Sequence, residues 1–526
     1  MKHLINGMLS LLFIIMLLHI LAAPGDAQPQ KDILRVGAQT SALLTLDPAR
    51  TKGEGTTVIL SHLYNKLVDF EFGDSTRIVS DLAESWEIGP DGKTWMFHLK
   101  HNAIFASGNP VTADDVVFSL QRLLRIAETP SRRLSQFGVT PESISKLDEH
   151  TVQIVLKRQY APHYFLSCLA YPSVGCILDQ SLVLQHEEND DLGSAWLRFH
   201  AAGSGPFILD QWTLGQELAL NVRERFWENW TPFFNKLSVK DMDPFLQMIM
   251  LQKGDIDLAW NLRPEQIRLL RYNPDLHVSE TPEFTIMYLG MNVGYEPLSR
   301  SDVRDAVRYA IDYDAIIHEI LQGAAIKIQT IIPRGIFGYN PATPYRFDLE
   351  KARNLLAQAG YAEGFEVELL CAPSHPWSAI AVKLQSDLAK IGIRVRLSFM
   401  EGLELYRTYQ NQTHQMVLAQ WQSDYADPND NATAFAHSTS IGKDAKVLSL
   451  AWRNQYVNPE IAALVDEAAY TLDGERRAAL YQQITDKILD DGPFAIFGSP
   501  LRQVVTNFED FEVPPSFFMF DAATFK

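Results

Sequence analysis

Between residues 285 and 500, short apolar runs alternate with amphipathic stretches, and this alternation restricts the fold more than any other feature of the chain. Residues 285–293 (Thr-Ile-Met-Tyr-Leu-Gly-Met-Asn-Val) form an apolar strand pattern. Residues 302–320 follow with Val303, Ala306, Val307, Ala310 and Ile311 at helical spacing. Asp348 caps a helix through Ala352, Leu355, Leu356 and Ala359, which Gly360 closes. Strands at 366–370 and 395–399 flank a helix over 377–391. A short helix over 403–409 precedes a strand from Met416, and two helices fill 461–489. Strands that alternate with helices predict an α/β lobe over about 285–500.

The first half reads as mixed α/β. Residues 33–37 and 151–156 are strand patterns, residues 56–67 have helical spacing, and residues 218–222 run as a strand into Phe226-Trp227. Asp91-Gly92 between apolar runs signals a hairpin. Thr112, with Asp115 three residues on, starts a helix that runs to about Leu124. Gly203-Ser204-Gly205-Pro206 is a turn. A chain of 526 residues exceeds one ordinary domain, and it has no repeats and no long linker. Two closely joined lobes with a ligand cleft between them are expected. The end, residues 508–525, is rich in proline and phenylalanine and is expected to pack back on the first lobe.

Charge and composition narrow the partners. The chain carries 64 acidic and 46 basic residues, a formal net charge of −18, which disfavours nucleic acid and anionic membranes. Lys2 and His3 precede an apolar run over residues 8–21, and small residues end at Ala27, so residues 1–27 read as a cleavable secretory signal. No cysteine lies near that point, so a lipid anchor on a new N-terminal cysteine is not expected. Of the three cysteines, Cys168 and Cys176 could pair with Cys371 left free, or all three could be buried thiols. No nucleophile elbow, zinc signature, phosphate loop or dinucleotide fingerprint is present. His98 and His101 lack a third ligand and read as surface residues. Asp114-Asp115 is better explained by helix capping, and Asp255 and Asp257 read as a solvated edge.

The stretch Leu418-Ala-Gln-Trp-Gln-Ser-Asp-Tyr-Ala-Asp-Pro-Asn429 reads as a strand that ends in a loop presenting an indole and carboxylates. An aromatic wall beside a carboxylate can hold an ammonium, with charge from one and a π face from the other. A core tryptophan before a solvated acidic turn is the alternative, and local sequence leaves both open.

Six segments, taken together and in order, resemble family 5 extracellular solute-binding proteins, the periplasmic dipeptide, oligopeptide and nickel receptors of ABC importers. They are Leu82-Ala83-Glu84-Ser85-Trp86-Glu87 with the strand at 94–99; Pro110-Val111-Thr112-Ala113-Asp114-Asp115-Val116-Val117-Phe118; Gly203-Ser204-Gly205-Pro206-Phe207; Lys253-Gly254-Asp255-Ile256-Asp257; Asn292 with Val303-Arg304-Asp305-Ala306-Val307-Arg308-Tyr309-Ala310-Ile311-Asp312; and the helix of residues 348–360. The resemblance implies a two-lobe α/β clamshell of the type II periplasmic-binding-protein kind. Lobe I would comprise residues 28–284 plus 501–526, with a subdomain at about 80–200, and lobe II residues 285–500. It implies a soluble, monomeric periplasmic receptor that binds peptides between the lobes, hands them to an inner-membrane ABC permease, catalyses nothing and needs no cofactor or metal.

The resemblance also gives the 418–429 stretch a role. Trp421 and Asp424 look like the family's W-x-x-D, in which the aspartate takes the peptide's α-ammonium and the tryptophan lines a side-chain pocket. Tyr425, Gln420, Asn292 and His375 complete the expected ligand set. One departure stands out. Dipeptide receptors carry an arginine after the strand equivalent to 366–370 for the ligand carboxylate. Here residues 371–377 (Cys-Ala-Pro-Ser-His-Pro-Trp) offer only His375. A longer peptide, or a non-peptide solute such as a nickel chelate, an opine, a polyamine or a sugar, is the alternative to a dipeptide.

Overall fold

The computed structural model describes residues 32–51, 54–443, 445, 447–509 and 511. The expected signal of residues 1–27 lies outside them. Strand β1 (Ile33–Ala38) leads to helix α1 (Glu54–Leu63) and the paired strands β2 (Val68–Glu71) and β3 (Asp74–Ser80). β4 (Ala83–Ile88) and β5 (Thr94–Leu99) form the hairpin expected at Asp91-Gly92. The Asp91 carboxylate accepts from the amides of Lys93 (3.0 Å) and Thr94 (2.9 Å), and Gly92 takes φ +69°. Helix α2 (Ala113–Ile126) starts as expected: the Thr112 amide and hydroxyl both donate to Asp115 Oδ2 at 2.9 Å. After the short helix α3 (Arg132–Ser135), β6 (Ile144–Asp148) and β7 (Thr151–Val155) complete a four-stranded sheet in the order β4-β5-β7-β6. Helix α4 (Pro162–Leu169) packs beside it.

β8 (Phe207–Thr213), β9 (Glu217–Val222) and β10 (Lys236–Asp241) follow. The turn before β8 needs its glycines. A Cβ on Gly203 would lie 2.0 Å from the Leu63 carbonyl oxygen, and one on Gly205 2.6 Å from that of His62. β11 (Leu258–Ala259), β12 (His277–Pro282) and β13 (Thr285–Met291) precede helix α5 (Ser301–Ala310). The single helix expected over 302–320 is therefore broken. Ile311 turns extended, and Asp312 caps a new turn by accepting from the Ala315 amide at 3.1 Å. Local capping outcompetes the apolar periodicity there.

β14 (Ala325–Ile326), α6 (Leu349–Gln358), β15 (Glu366–Cys371), α7 (Trp377–Ala389), β16 (Arg394–Phe399), α8 (Gly402–Gln410) and β17 (Met416–Gln422) come next, close to the expected bounds. Helices α9 (Pro428–Ala436), α10 (Pro459–Tyr470) and α11 (Gly474–Asp491) lead to the long strand β18 (Phe494–Thr506). The main sheet has the order β16-β15-β17-β13-β18-β11-β1-β10-β9-β8, with β12 and β14 also on β18.

This α/β molecule is a two-lobe clamshell, and β18 is the strand common to both sides. Its first residues pair with β13 and its last with β11 and β12. The chain crosses a second time between Pro282 and Thr285, where the Glu283 amide donates to the Pro500 carbonyl at 2.9 Å. One apolar core lies between β13, β15, β17 and helices α5–α7, and another under β1, β9, β10 and α1. A third begins at Trp95, Phe97 and Phe165 beside the small sheet and continues into Tyr425, Phe435 and Tyr481. The two sides are therefore packed together.

One reading changes and one open choice is decided. Asp257 is buried and accepts from the Arg35 amide at 2.9 Å, so only Asp255 is solvated. All three cysteines are buried free thiols, which decides between the alternatives left open for Cys168 and Cys176. Phe508 and Phe511 pack on the core under β1, while residues 512–525 of the expected tail lie outside the described ones.

Candidate functional site

The parallel strands β15 and β17 both end at one edge of the sheet, and antiparallel β13 starts there, with Thr285 opposite Gln422. In open α/β sheets, ligands bind outside the carboxyl ends of the strands. This edge carries the loop after β17 and the loop after β15. β17 is buried from Met416 to Leu418 and emerges as it nears the edge. Alternation then sends Trp421 to one face and Gln420 and Gln422 to the other. Trp421 is half-buried against the third core, and its indole Nε1 is buried with no hydrogen-bond partner among the described residues. Gln420 is exposed on the opposite face, so the two residues do not line one wall.

The loop itself is held tightly. The Ser423 amide donates to the Phe284 carbonyl at 2.9 Å, and its hydroxyl donates to Asn431 at 2.6 Å. The Asp424 amide donates to Asp430 Oδ2 at 2.6 Å. Burial, reinforced by the neighbouring Asp424 charge, pushes the Asp430 carboxyl well above the usual carboxylate range. With its backbone fixed, Asp424 presents a side chain that is 51% exposed. One arginine meets it. Arg133, on α3, donates Nε to the Asp424 carbonyl at 2.8 Å and an Nη2 proton to Oδ1 at 2.7 Å. Its guanidinium stacks 4.6 Å from the centroid of Tyr171. Burial opposes the Arg133 charge, but Asp424 together with Tyr171, Cys168 and Asp430 outweighs it and holds the pKa above its ordinary value.

Three residues on, Asp427 does different work. It is fully buried, caps α9 by accepting from the Asn429 amide at 2.9 Å, and takes both arms of Arg477 at 2.8 and 2.6 Å. His163 Nδ1 lies 3.0 Å from Oδ2, the oxygen that also accepts from Arg477 Nη1. Burial alone would raise this carboxyl; Arg477 and His163 outweigh it and hold it far below its usual range. The sequence stretch was read as a loop through Asn429, whereas Asp427-Pro428 starts a helix, with aspartate at the cap and proline at the first helical position.

The remaining expected residues separate. Tyr425 is buried and stacks on Tyr164 at 5.4 Å, joining the loop to α4 rather than facing a cavity. His375 is exposed in the loop after β15, at the same sheet edge. Asn292 follows the far end of β13, roughly 23 Å from the edge at a strand rise of about 3.3 Å per residue. Its amide is spent on the carbonyls of Gln412 (3.1 Å) and His414 (2.9 Å) and on the Gly294 amide (3.0 Å). Asn292 is thus a structural asparagine, a correction to the expected ligand set.

Sequence reading missed Arg133, which carries no local signal and lies 291 residues from Asp424. It also missed Arg477 and His163, although the Asp-Pro cap was legible. A concavity of about 590 Å³ lies between Val293, Arg304, Gln455 and Asp491, but Arg304 and Asp491 already pair at 2.7 Å. Among the described residues, no group of three or more His, Cys, Asp or Glu could hold a metal, and no helix is long and apolar enough to cross a membrane.

Comparisons with known proteins agree with this architecture. The family model described as bacterial extracellular solute-binding proteins, family 5 Middle, matches residues 77–443. The probable D,D-dipeptide-binding periplasmic protein DdpA of Escherichia coli (strain K12) is 31% identical over 485 residues, 91% of this chain and 90% of that one. Heme-binding protein A of Haemophilus influenzae is 29% identical, covering 84% of this chain and 82% of its own. Among solved structures, the periplasmic binding protein DppA from Helicobacter pylori in complex with peptide STSA superposes with TM-score 0.71 at 26% identity, covering 90% of this chain and 93% of that one. The segments that resembled the family in the sequence fall within a match that spans most of both chains, and this chain belongs to the family 5 bacterial extracellular solute-binding proteins.

Proposed function

We propose that the chain is the periplasmic substrate-binding component of an ABC importer, which encloses short peptides between its lobes and delivers them to an inner-membrane permease. Lobe I comprises residues 28–284 with 501–526, and lobe II residues 285–500. The two strand crossings, at Pro282–Thr285 and within β18, support this division. The observation that carries the reading is Asp424: a half-exposed carboxylate on a tightly held loop, at the carboxyl edge of the sheet and three residues after Trp421. Such a carboxylate makes a charge-assisted bond to a peptide's α-ammonium and discriminates against N-blocked peptides. The protein acts as a monomer, without cofactor or catalytic turnover.

Native mass spectrometry of the mature protein, purified without refolding, tests this. Added masses that fit short peptides are the expected result. A single retained non-peptide mass overturns the peptide reading in favour of another solute. If the protein emerges empty, a thermal-shift screen with peptide mixtures replaces the readout, because a bound ligand stabilises in proportion to the logarithm of its concentration over Kd. The absence of any shift with peptides overturns the reading.

A further inference from the structure

Asp424 is already paired, and this bears on which ligand it can take. Arg133 holds Oδ1 and the backbone carbonyl of the same residue, and Tyr171 backs the guanidinium at 4.6 Å. An arginine anchored at three points does not swing aside freely. A ligand that offers only an ammonium must therefore bring its positive charge up beside a fixed guanidinium, and like charges at such short range repel. Asp430 is buried, and its Oδ2 is already taken by the Asp424 amide.

The pair nevertheless has capacity left. Among the described residues, Asp424 Oδ2 and Arg133 Nη1 have no hydrogen-bond partner. The Arg133 side chain is only 16% exposed, and its Nη1 is a donor not taken by another group of the protein among the described residues. A neutral pair with one acceptor oxygen and one donor nitrogen open complements a neutral head with the opposite arrangement. A guanidinium N–H pairs well with a carboxylate in particular.

Building on the reading of Asp424 as the ligand site, we infer that the Arg133–Asp424 pair recognises an α-amino-acid zwitterion, an ammonium and a carboxylate on one carbon, with the ammonium on Asp424 and the carboxylate on Arg133. Ordinary α-linked peptides lack this head, because their first carboxyl is consumed in the peptide bond. Side-chain-linked peptides, such as γ-glutamyl compounds, keep it, and so do free amino acids. Arg133 is then the specificity-determining residue of the site. It supplies a cation for the ligand carboxylate where residues 371–377 offer none but His375.

Calorimetric titration of the dialysed mature protein with γ-glutamyl-alanine and α-glutamyl-alanine tests the inference. The two isomers have the same atoms and charges and differ only in where the free carboxylate sits. The γ isomer is expected to bind about tenfold tighter or better, the scale of one additional charge-assisted contact. In Arg133→Gln the ratio falls toward one, and Arg133→Lys retains part of it as a charge control should the glutamine variant fail to fold. Free glutamate in a third titration separates the two sources: binding as tight as the γ isomer assigns the site to free amino acids, and weaker binding assigns it to side-chain-linked peptides. Equal or tighter binding of the α isomer, or a preference that survives in Arg133→Gln, overturns the inference and leaves the peptide reading standing. If neither isomer binds and no peptide mass is retained, both fall.

Discussion

Asp424 and Asp427 lie three residues apart on one loop, and each meets an arginine from a distant part of the chain. At Asp427 the carboxylate is at 0% exposure, takes both arms of Arg477, caps a helix and touches His163. At Asp424 the side chain is 51% exposed, only one oxygen is taken, and the arginine keeps donors open. Residue type and stretch of chain are the same, although a proline follows only Asp427; exposure and the count of satisfied groups are not. A carboxylate with every lone pair occupied in a dry core holds the fold together. One that is half in solvent contributes little to the fold, about 0–1 kcal/mol for such a pair, and keeps an oxygen open for a ligand.

Removing the buried member should have the largest effect. Asp427→Ala leaves Arg477 charged and uncompensated in the core, at a cost of about 3–5 kcal/mol by urea denaturation. Loss of under about 1 kcal/mol would show that the buried pair is not structural. The same site has a pH signature. Because the folded Asp427 carboxyl is held below its unfolded value, its stabilisation is fully present above about pH 4 and is lost as pH falls through the folded value. Urea melts from about pH 5 downward should therefore fall less steeply for Asp427→Asn than for the unsubstituted protein. Parallel curves would remove the linkage.

The opposite profile is expected at Asp424. Asp424→Asn should weaken peptide binding by about tenfold to about a hundredfold, the range of a hydrogen bond to a charged group, and change stability by less than about 1 kcal/mol. Unchanged affinity in calorimetry would sink Asp424 as the ammonium site. The smallest effect concerns salt. Raising ionic strength from about 0.1 to about 1 M shortens the screening length from about 10 to about 3 Å. The small stability difference between Arg133→Gln and the unsubstituted protein should then vanish, while that of Asp427→Ala persists. Persistence of both differences would mean that the Arg133 pair is better shielded than its exposure indicates.

Much of the fold was legible because it rests on short-range contacts. The Asp91-Gly92 hairpin, the Thr112–Asp115 box and the Asp348 cap are each completed within four residues of chain. The broken helix at Ile311 was misread because periodicity was weighed without the Asp312 cap. Asn292 was carried by a motif, and its amide turned out to serve the 412–414 backbone, 120 residues or more along the chain. Nothing near Pro130-Ser131-Arg132-Arg133 marks that arginine as a partner of Asp424.

The sequence by itself determined the alternation of strands and helices, their caps and turns, and the family, since these follow from side-chain period and backbone hydrogen bonding between near neighbours. Tertiary structure alone decided which aspartate is spent and which remains open. The two deciding arginines arrive from 50 and 291 residues away, and whether a carboxylate is buried or half-exposed is a property of the packed lobes around it rather than of its own segment.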